Sequence, residues 1–432
     1  MSRCVGRHVT SQVLHNAKVI RKEYDYEVFF FKVSALVIAA TMMSTMTAAF
    51  ADNVVEESNS EAFAQSFIKN YYSSMYLDEE FDDSNIEFDE LREYIRTKIN
   101  YMQFVTSDVE NFDIQMELIS KDESTDAIYL AYFVEAEYNY VGLDTPSGFG
   151  ECVQIVVDKN LEQEICDFYV YDNWDNRLRD ANSINADYIV WENEQSAMQL
   201  VYDIQERTTN SINVIEEQAN ITDTLLDDDN YSVSSVSSSN RTKIVNYALD
   251  NCSKKSPASG NSNLVSTYYD FSQISNNYDC TNFSSHCLLA GGAVFQDDNS
   301  GNRGGWFYYG TSTANRSMSW SSVNYFYDFA TTNTGVGPKA KTFSLRYNCP
   351  SSMINYNIGD FIQVKYDDDS DGYDHTLVIT DITGSTSTSL YPYVTGRSGY
   401  NSGITTWYVK NKNIMENYSG DQYRVLAFTS LT

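Results

Sequence analysis

Apolar residues recur at every fourth position as far as residue 102 and at every second position from residue 112. This change of period calls for helices followed by an antiparallel sheet. Phe63, Phe67, Tyr71 and Met75 follow Ser58-x-x-Glu61, a capping-box signal, with Ala64, Ile68 and Tyr72 beside them. Leu91, Ile95 and Ile99 mark a second helix over 89–102. Phe112, Ile114, Met116 and Leu118 then alternate with polar residues, and Ile128, Leu130, Tyr132 and Val134 repeat the pattern. Further strands are expected at 153–157 and 165–171, on either side of an Asp158-Lys159-Asn160 turn. A hairpin centred on Lys159 sets Cys152 opposite Cys166, where one register permits a cross-strand disulfide. Helical spacing returns over 187–219 through Met198, Val201 and Tyr202. Residues 52–219 therefore read as an α+β unit. It holds no histidine and assembles no chemical site, as suits an accessory or pro-domain.

Residues 1–51 carry the marks of a secretory signal peptide. Arg21, Lys22 and Lys32 precede an apolar stretch over 33–40, and Ala49-Phe50-Ala51 offers a small-x-small cleavage site. A secreted, extracellular protein is expected, with no stable membrane insertion once the signal is removed. The remainder carries 23 basic and 57 acidic residues, a net charge of −34. Such a surface repels nucleic acid and anionic membranes, so neither is an expected partner. Six cysteines remain at 152, 166, 252, 280, 287 and 349. That is too sparse for a disulfide scaffold, and no CxxC pair suggests zinc.

Residues 220–240 turn acidic and then serine-rich, a linker composition. A helix capped by Asn240 is expected over 241–252, opening a second unit over 241–432. Only two histidines lie beyond residue 51, His286 and His375, so a histidine base near neutral pH must be one of them. Phe283, Cys287 and Ala290 form a helical stripe ended by Gly291-Gly292, with Asp279 in the N-cap position. Cys280 then falls in the first turn. There the helix dipole favours a thiolate, and free backbone N–H groups are placed to hold an oxyanion, with Asp279 and Thr281 in support. His286 is six residues further on and cannot reach back, which gives it a structural part. His375 opens a strand over 375–380, after a strand entered through Gly359-Asp360.

Asp279-Cys280-Thr281-Asn282-Phe283, Ala290-Gly291-Gly292, Trp306, Ser319-Trp320-Ser321-Ser322-Val323, Gly359-Asp360 and His375-Thr376-Leu377-Val378-Ile379-Thr380 occur in this order. As an ordered set they resemble the putative amidase domain family, which is similar to papain-like cysteine peptidases and peptidoglycan amidohydrolases. The resemblance spans about 241–432. It implies an α+β, papain-like domain, with a helix carrying the cysteine packed on an antiparallel sheet carrying the histidine. Cys280 is then the nucleophile and His375 the base, acting on a peptide or peptidoglycan-type substrate. A third residue that orients the histidine is expected on the following strand, yet 391–401 has no Asp. Thr395, Asn401 and Asp381 are the candidates. This departure also admits a degenerate descendant that serves as an extracellular binding or surface protein.

Asp367, Asp369, Asp371 and Gly372 match the start of a calcium loop, but the twelfth position is Val378 and no helices flank it. A solvated turn is the better reading, and no metal or cofactor is expected. Trp306, Phe307, Tyr308, Tyr309, Trp320, Tyr325, Phe326 and Tyr327 are read chiefly as core, with some free to line a cleft. A monomer is expected.

Overall fold

The computed structural model describes residues 59–106, 108–159, 164–171, 236–253, 279–297, 305–309, 316–345, 356–365, 372–383, 391–399, 406–414, 416 and 422–432. The signal peptide expected over 1–51, the helix expected over 187–219, most of the linker expected over 220–240 and Cys349 lie outside them.

Helices α1 (Asn59–Tyr76) and α2 (Asp89–Val105) come first, then strands β1 (Val109–Glu123), β2 (Ala127–Tyr140), β3 (Ser147–Asp158) and β4 (Ile165–Tyr171). Beyond the linker follow α3 (Ser238–Asn251), α4 (Cys280–Ala290), α5 (Met318–Ser321) and α6 (Val323–Thr332). Six strands complete the chain: β5 (Lys339–Leu345), β6 (Phe361–Lys365), β7 (His375–Thr383), β8 (Tyr391–Gly399), β9 (Thr406–Asn413) and β10 (Gln422–Ser430). The fold is α+β. No helix among the described residues is long and apolar enough to cross a membrane.

One ten-stranded sheet runs in the order β1-β2-β3-β9-β8-β7-β6-β10-β5, with β4 also on β3. Every pairing is antiparallel. Strand β3 is long enough to offer one edge twice. Cys152–Val157 pairs with β4, and Gly148–Gly150 pairs with Lys410, Val409 and Tyr408 of β9. A side chain at Gly150 would obstruct this, and one at Gly148 would obstruct the pairing with β2. A Cβ at Gly148 would lie 2.3 Å from the Ala136 carbonyl oxygen, and one at Gly150 would lie 2.2 Å from the Tyr408 ring.

The period-four and period-two patterns have a common cause. On α1, Ala64, Phe67, Ile68, Tyr71, Tyr72 and Met75 are buried against the inward alternation of β2, from Ile128 through Tyr140. A second core lies between α3, α4, α6 and the sheet, around Phe283, Cys287, Trp306, Trp320, Phe326 and Phe361. A third fills the opposite face of β6, β7 and β8 with Ile362, Val364, Leu377, Ile379 and Val394.

Two local expectations are corrected. The β3–β4 hairpin is wider than a three-residue turn allows, so Cys152 faces Tyr171 and not Cys166, and both thiols are free. Helix α3 begins at Ser238. Its N-cap is Ser237, whose Oγ accepts from the Asn240 N–H at 3.2 Å. The Asn240 amide instead donates to the Gly291 carbonyl at 2.6 Å and ties α3 to the end of α4.

Candidate active site

Helix α4 is buried along its length from Cys280 to Leu288. Trp306 and Trp320 back it, with ring centroids 4.8 Å apart. The Trp306 indole donates to Ser285 Oγ at 3.1 Å and the Trp320 indole to Asn282 Oδ1 at 2.7 Å. Asn282 in turn donates to Asp279 Oδ1 at 2.7 Å. His286 is sealed in the core, edge-on to Trp320 at 5.0 Å and to Tyr308 at 5.8 Å, as suits a structural residue.

Asp279 occupies the N-cap position, but its carboxylate does not cap. It turns away to Arg397 on β8, whose Nε lies 3.0 Å from Asp279 Oδ2 with both side chains fully buried. Arg397 also donates to the Asn251 carbonyl at the end of α3, at 3.2 Å. The first helical bond of α4 runs from the Phe283 N–H to the Asp279 carbonyl at 2.8 Å. The earlier N–H groups of Cys280 and Thr281 are therefore not used by the helix ladder.

The sulfur of Cys280 lies beside β7. The Thr376 backbone N–H is close enough to favour its thiolate, and Thr281 Oγ1 lies 3.8 Å away. Thr281 Oγ1 and Thr376 Oγ1 are 3.0 Å apart, and Ser284 Oγ bonds to the carbonyls of Cys280 at 2.9 Å and Thr376 at 3.4 Å. Thr376 directly follows His375, so the nucleophile candidate packs beside the residue next to the base candidate. His375 opens β7 opposite Val364, with its ring 5.6 Å from that of Trp407. Its Nε2 faces Gly396 on β8, where a Cβ would lie 3.6 Å away.

Both groups are almost sealed: Cys280 is 2% exposed and His375 3%. Burial pushes the thiol up to about 11, against the opposing pull of the Thr376 N–H and the Thr281 hydroxyl. Burial alone takes the His375 imidazole down to about 3. The resting pair is thus a neutral thiol and a neutral imidazole. His286 is also lowered to about 3, by burial and then by the charge of Arg397.

These two histidines make the fold acid-sensitive. Above pH 6.5 neither the folded nor the unfolded chain protonates them; between 6.5 and about 3 only the unfolded chain does. Stability is therefore whole above 6.5 and falls below it, by up to about 2.7 kcal/mol per pH unit for two such groups. The buried Glu416 carboxyl, raised to about 7, opposes one histidine between 4.5 and 6.5. Denaturant titrations should therefore show about half that slope there and more of it below 4.5, and His286→Asn should remove half of the histidine part.

Thr395 is buried. Its hydroxyl accepts from the Asn411 N–H at 2.8 Å and lies 3.0 Å from Thr380 Oγ1, so it serves the β8–β9 junction. Asp381 lies six residues along β7 from His375, about 20 Å in extended chain, and accepts from Thr145 Oγ1 at 2.9 Å. It cannot orient the imidazole. Asn401 and the calcium candidates Asp367, Asp369 and Asp371 lie outside the described residues. The Gly359-Asp360 pair is architectural. Gly359 takes φ 82°, and Asp360 Oδ1 accepts from Arg241 Nη1 at 2.7 Å and from the Phe428 N–H at 3.0 Å. Most of the aromatic cluster is core: Trp306, Trp320 and Phe326 are fully buried, whereas Tyr309 and Tyr325 reach solvent.

Sequence reasoning missed Arg397. The signal was present: an aspartate beside a buried cysteine needs a cation, and β8 offers one. Arg397→Met would strand Asp279 and should cost about 3–5 kcal/mol of stability. Asp279→Asn combined with Arg397→Met should recover much of it, as read by chemical denaturation.

Residues 238–425 match the family model described as putative amidase domain, from the first residue of α3 into β10. The match supports the resemblance carried by the motifs and points to hydrolysis of amide bonds. No curated protein and no solved structure matches the chain.

Proposed function

We propose that the half of the chain beginning at α3 is a cysteine-dependent hydrolase of amide or peptide bonds, acting outside the cell with no metal or cofactor. Cys280 is the nucleophile and His375 the general base, in a papain-like arrangement. The observation that supports this reading is the sulfur at the first position of a buried helix whose first turn is tied, through Thr281 and Ser284, to Thr376 on the strand that His375 begins.

The chemistry follows from the two neutral partners. As the sulfur attacks the carbonyl carbon, His375 takes the thiol proton, so charge develops only during the reaction. The N–H groups of Cys280 and Thr281 receive the oxyanion. Collapse breaks the C–N bond and His375 returns the proton to the leaving amine. Water, deprotonated by the same imidazole, then attacks the thioester, the C–S bond breaks to free the carboxylic acid, and the imidazolium returns its proton to the sulfur.

Peptidoglycan stem peptides and extracellular peptides are the candidate substrates. Incubation of the full chain with each, followed by mass spectrometry, should reveal new amine and carboxyl ends in the native protein and none in Cys280→Ala. Identical products from both would end the reading. The alternative, a binding domain on a degenerate hydrolase fold, is motivated by the absence of an aspartate from residues 391–401. Binding of peptidoglycan without any cleavage would favour it.

A further inference from the structure

One row of polar side chains crosses three strands on the face beneath α4. Arg424 of β10 pairs with Gln363 of β6, which pairs with Thr376 of β7. Two strand spacings separate Arg424 from Thr376, about 10 Å. Gln363 bridges them: its Oε1 accepts from Arg424 Nε at 2.6 Å, and its Nε2 donates to Thr376 Oγ1 at 3.2 Å.

The Arg424 guanidinium lies between the rings of Tyr327 and Tyr373, 3.6 and 4.0 Å from their centroids. Its Nη2 donates to Asn324 Oδ1 at 3.1 Å. Asn324 also accepts from the Tyr373 N–H at 3.0 Å and so holds the turn that leads into His375. These bonds occupy one edge of the planar group, Nε and one N–H of Nη2. The end-on edge, from Nη1 and Nη2, remains.

Arg316 donates to Ser321 Oγ at 2.7 Å, and Arg92, Arg96, Arg241 and Arg397 each have a carboxylate partner. Among the described residues none pairs with Arg424, although it is only 8% exposed. The nearby acids Asp328 and Asp374 are exposed. In a chain of net charge −31, a deeply set arginine held by neutral amides and ring faces is suited to an incoming anion.

We propose that Arg424 anchors a carboxylate of the substrate, so that the peptides cut at Cys280 carry an acidic group two or three residues from the attacked carbonyl. The proposal rests on the hydrolase reading above. The spacing fits, because about 10 Å is the reach of two or three extended residues. The chemistry fits, because an end-on guanidinium takes a carboxylate through two parallel N–H···O bonds.

The test uses chloroacetyl-glycylglycine and its C-terminal amide, two reagents that alkylate a thiol and differ only in the carboxylate. Alkylation of Cys280 in the full chain is followed by mass spectrometry at about 0.5 M salt, where the acidic surface is screened beyond roughly 5 Å. The acid should react about tenfold faster than the amide. Arg424→Met should bring that ratio to about one. Arg424→Lys, which keeps the charge but loses the fork, should fall between; thermal melting checks that both variants are folded. Equal rates in the native protein, or a preference that survives in Arg424→Met, would overturn the carboxylate anchor alone. If Cys280 takes neither reagent until the chain is unfolded, the hydrolase reading fails and the anchor fails with it.

Discussion

Cys280→Ala should leave no amide hydrolysis above background, a loss of roughly 10⁴-fold or more, because the neighbouring hydroxyls of Thr281, Ser284 and Thr376 are far weaker nucleophiles than a thiolate. His375→Ala should lose about 10²- to 10⁴-fold at neutral pH, for a different reason. With the thiol held at about 11, scarcely any thiolate exists at pH 7 without a base to take the proton during attack. The two variants therefore separate on raising the pH. His375→Ala should regain activity steadily toward pH 11 as the thiolate forms unaided, whereas Cys280→Ala should stay silent. Cys152→Ala, which alters a free thiol on β3, is the control and should hydrolyse normally. Activity retained in Cys280→Ala, or a His375→Ala variant indistinguishable from the native protein near neutral pH, would remove these two residues from the mechanism.

What could be read from the sequence was local. Periods of four and two placed α1, α2 and the first strands, because burial of one face is written into neighbouring residues. Cys280 at a helix start and His375 at a strand start were legible for the same reason, helped by the scarcity of histidine. What escaped depends on register between strands far apart in the chain. Arg397 gains its meaning only when β8 is brought against α4 and Asp279. Arg424 gains its meaning only when β10, β6 and β7 align it with Gln363 and Thr376. Gly359-Asp360 belonged to the recognisable motifs, yet its carboxylate holds Arg241 of α3, 119 positions away, and takes no part in the site. The β3–β9 junction was hidden in a similar way, since Gly148 and Gly150 carry no apolar signal and contribute by having no side chain.

That junction leads to the second large effect. A chain beginning at residue 236, without residues 59–171, should fail to fold cooperatively. Removal of β3 uncovers the edge of β9 and breaks a set of long-range polar contacts. Tyr140 donates to Glu416 at 2.6 Å, Tyr408 to Glu135 at 3.1 Å, Thr145 to Asp381 at 2.9 Å and Ser147 to the Asn411 carbonyl at 2.9 Å. Lys412 loses the Phe149 ring, 4.7 Å from its Nζ, and the Tyr76 ring at 5.6 Å. Tyr393 loses Tyr140, its ring partner at 4.9 Å. Hydrogen bonds of this kind contribute about 1–3 kcal/mol each where a charge is involved, and less where it is not. Several together rival the roughly 5–15 kcal/mol that holds a whole domain. One contribution runs the other way: burial raises the Glu416 carboxyl to about 7, and exposure would let it ionise freely. It is a single group set against a strand edge and a ring cluster, so the balance still favours unfolding. Circular dichroism and thermal melting of the shortened chain decide the matter. A cooperative melt with raised hydrolytic activity would instead make residues 59–171 a removable restraint on the site. Loss of the melt would make them part of the sheet on which Cys280 and His375 are held.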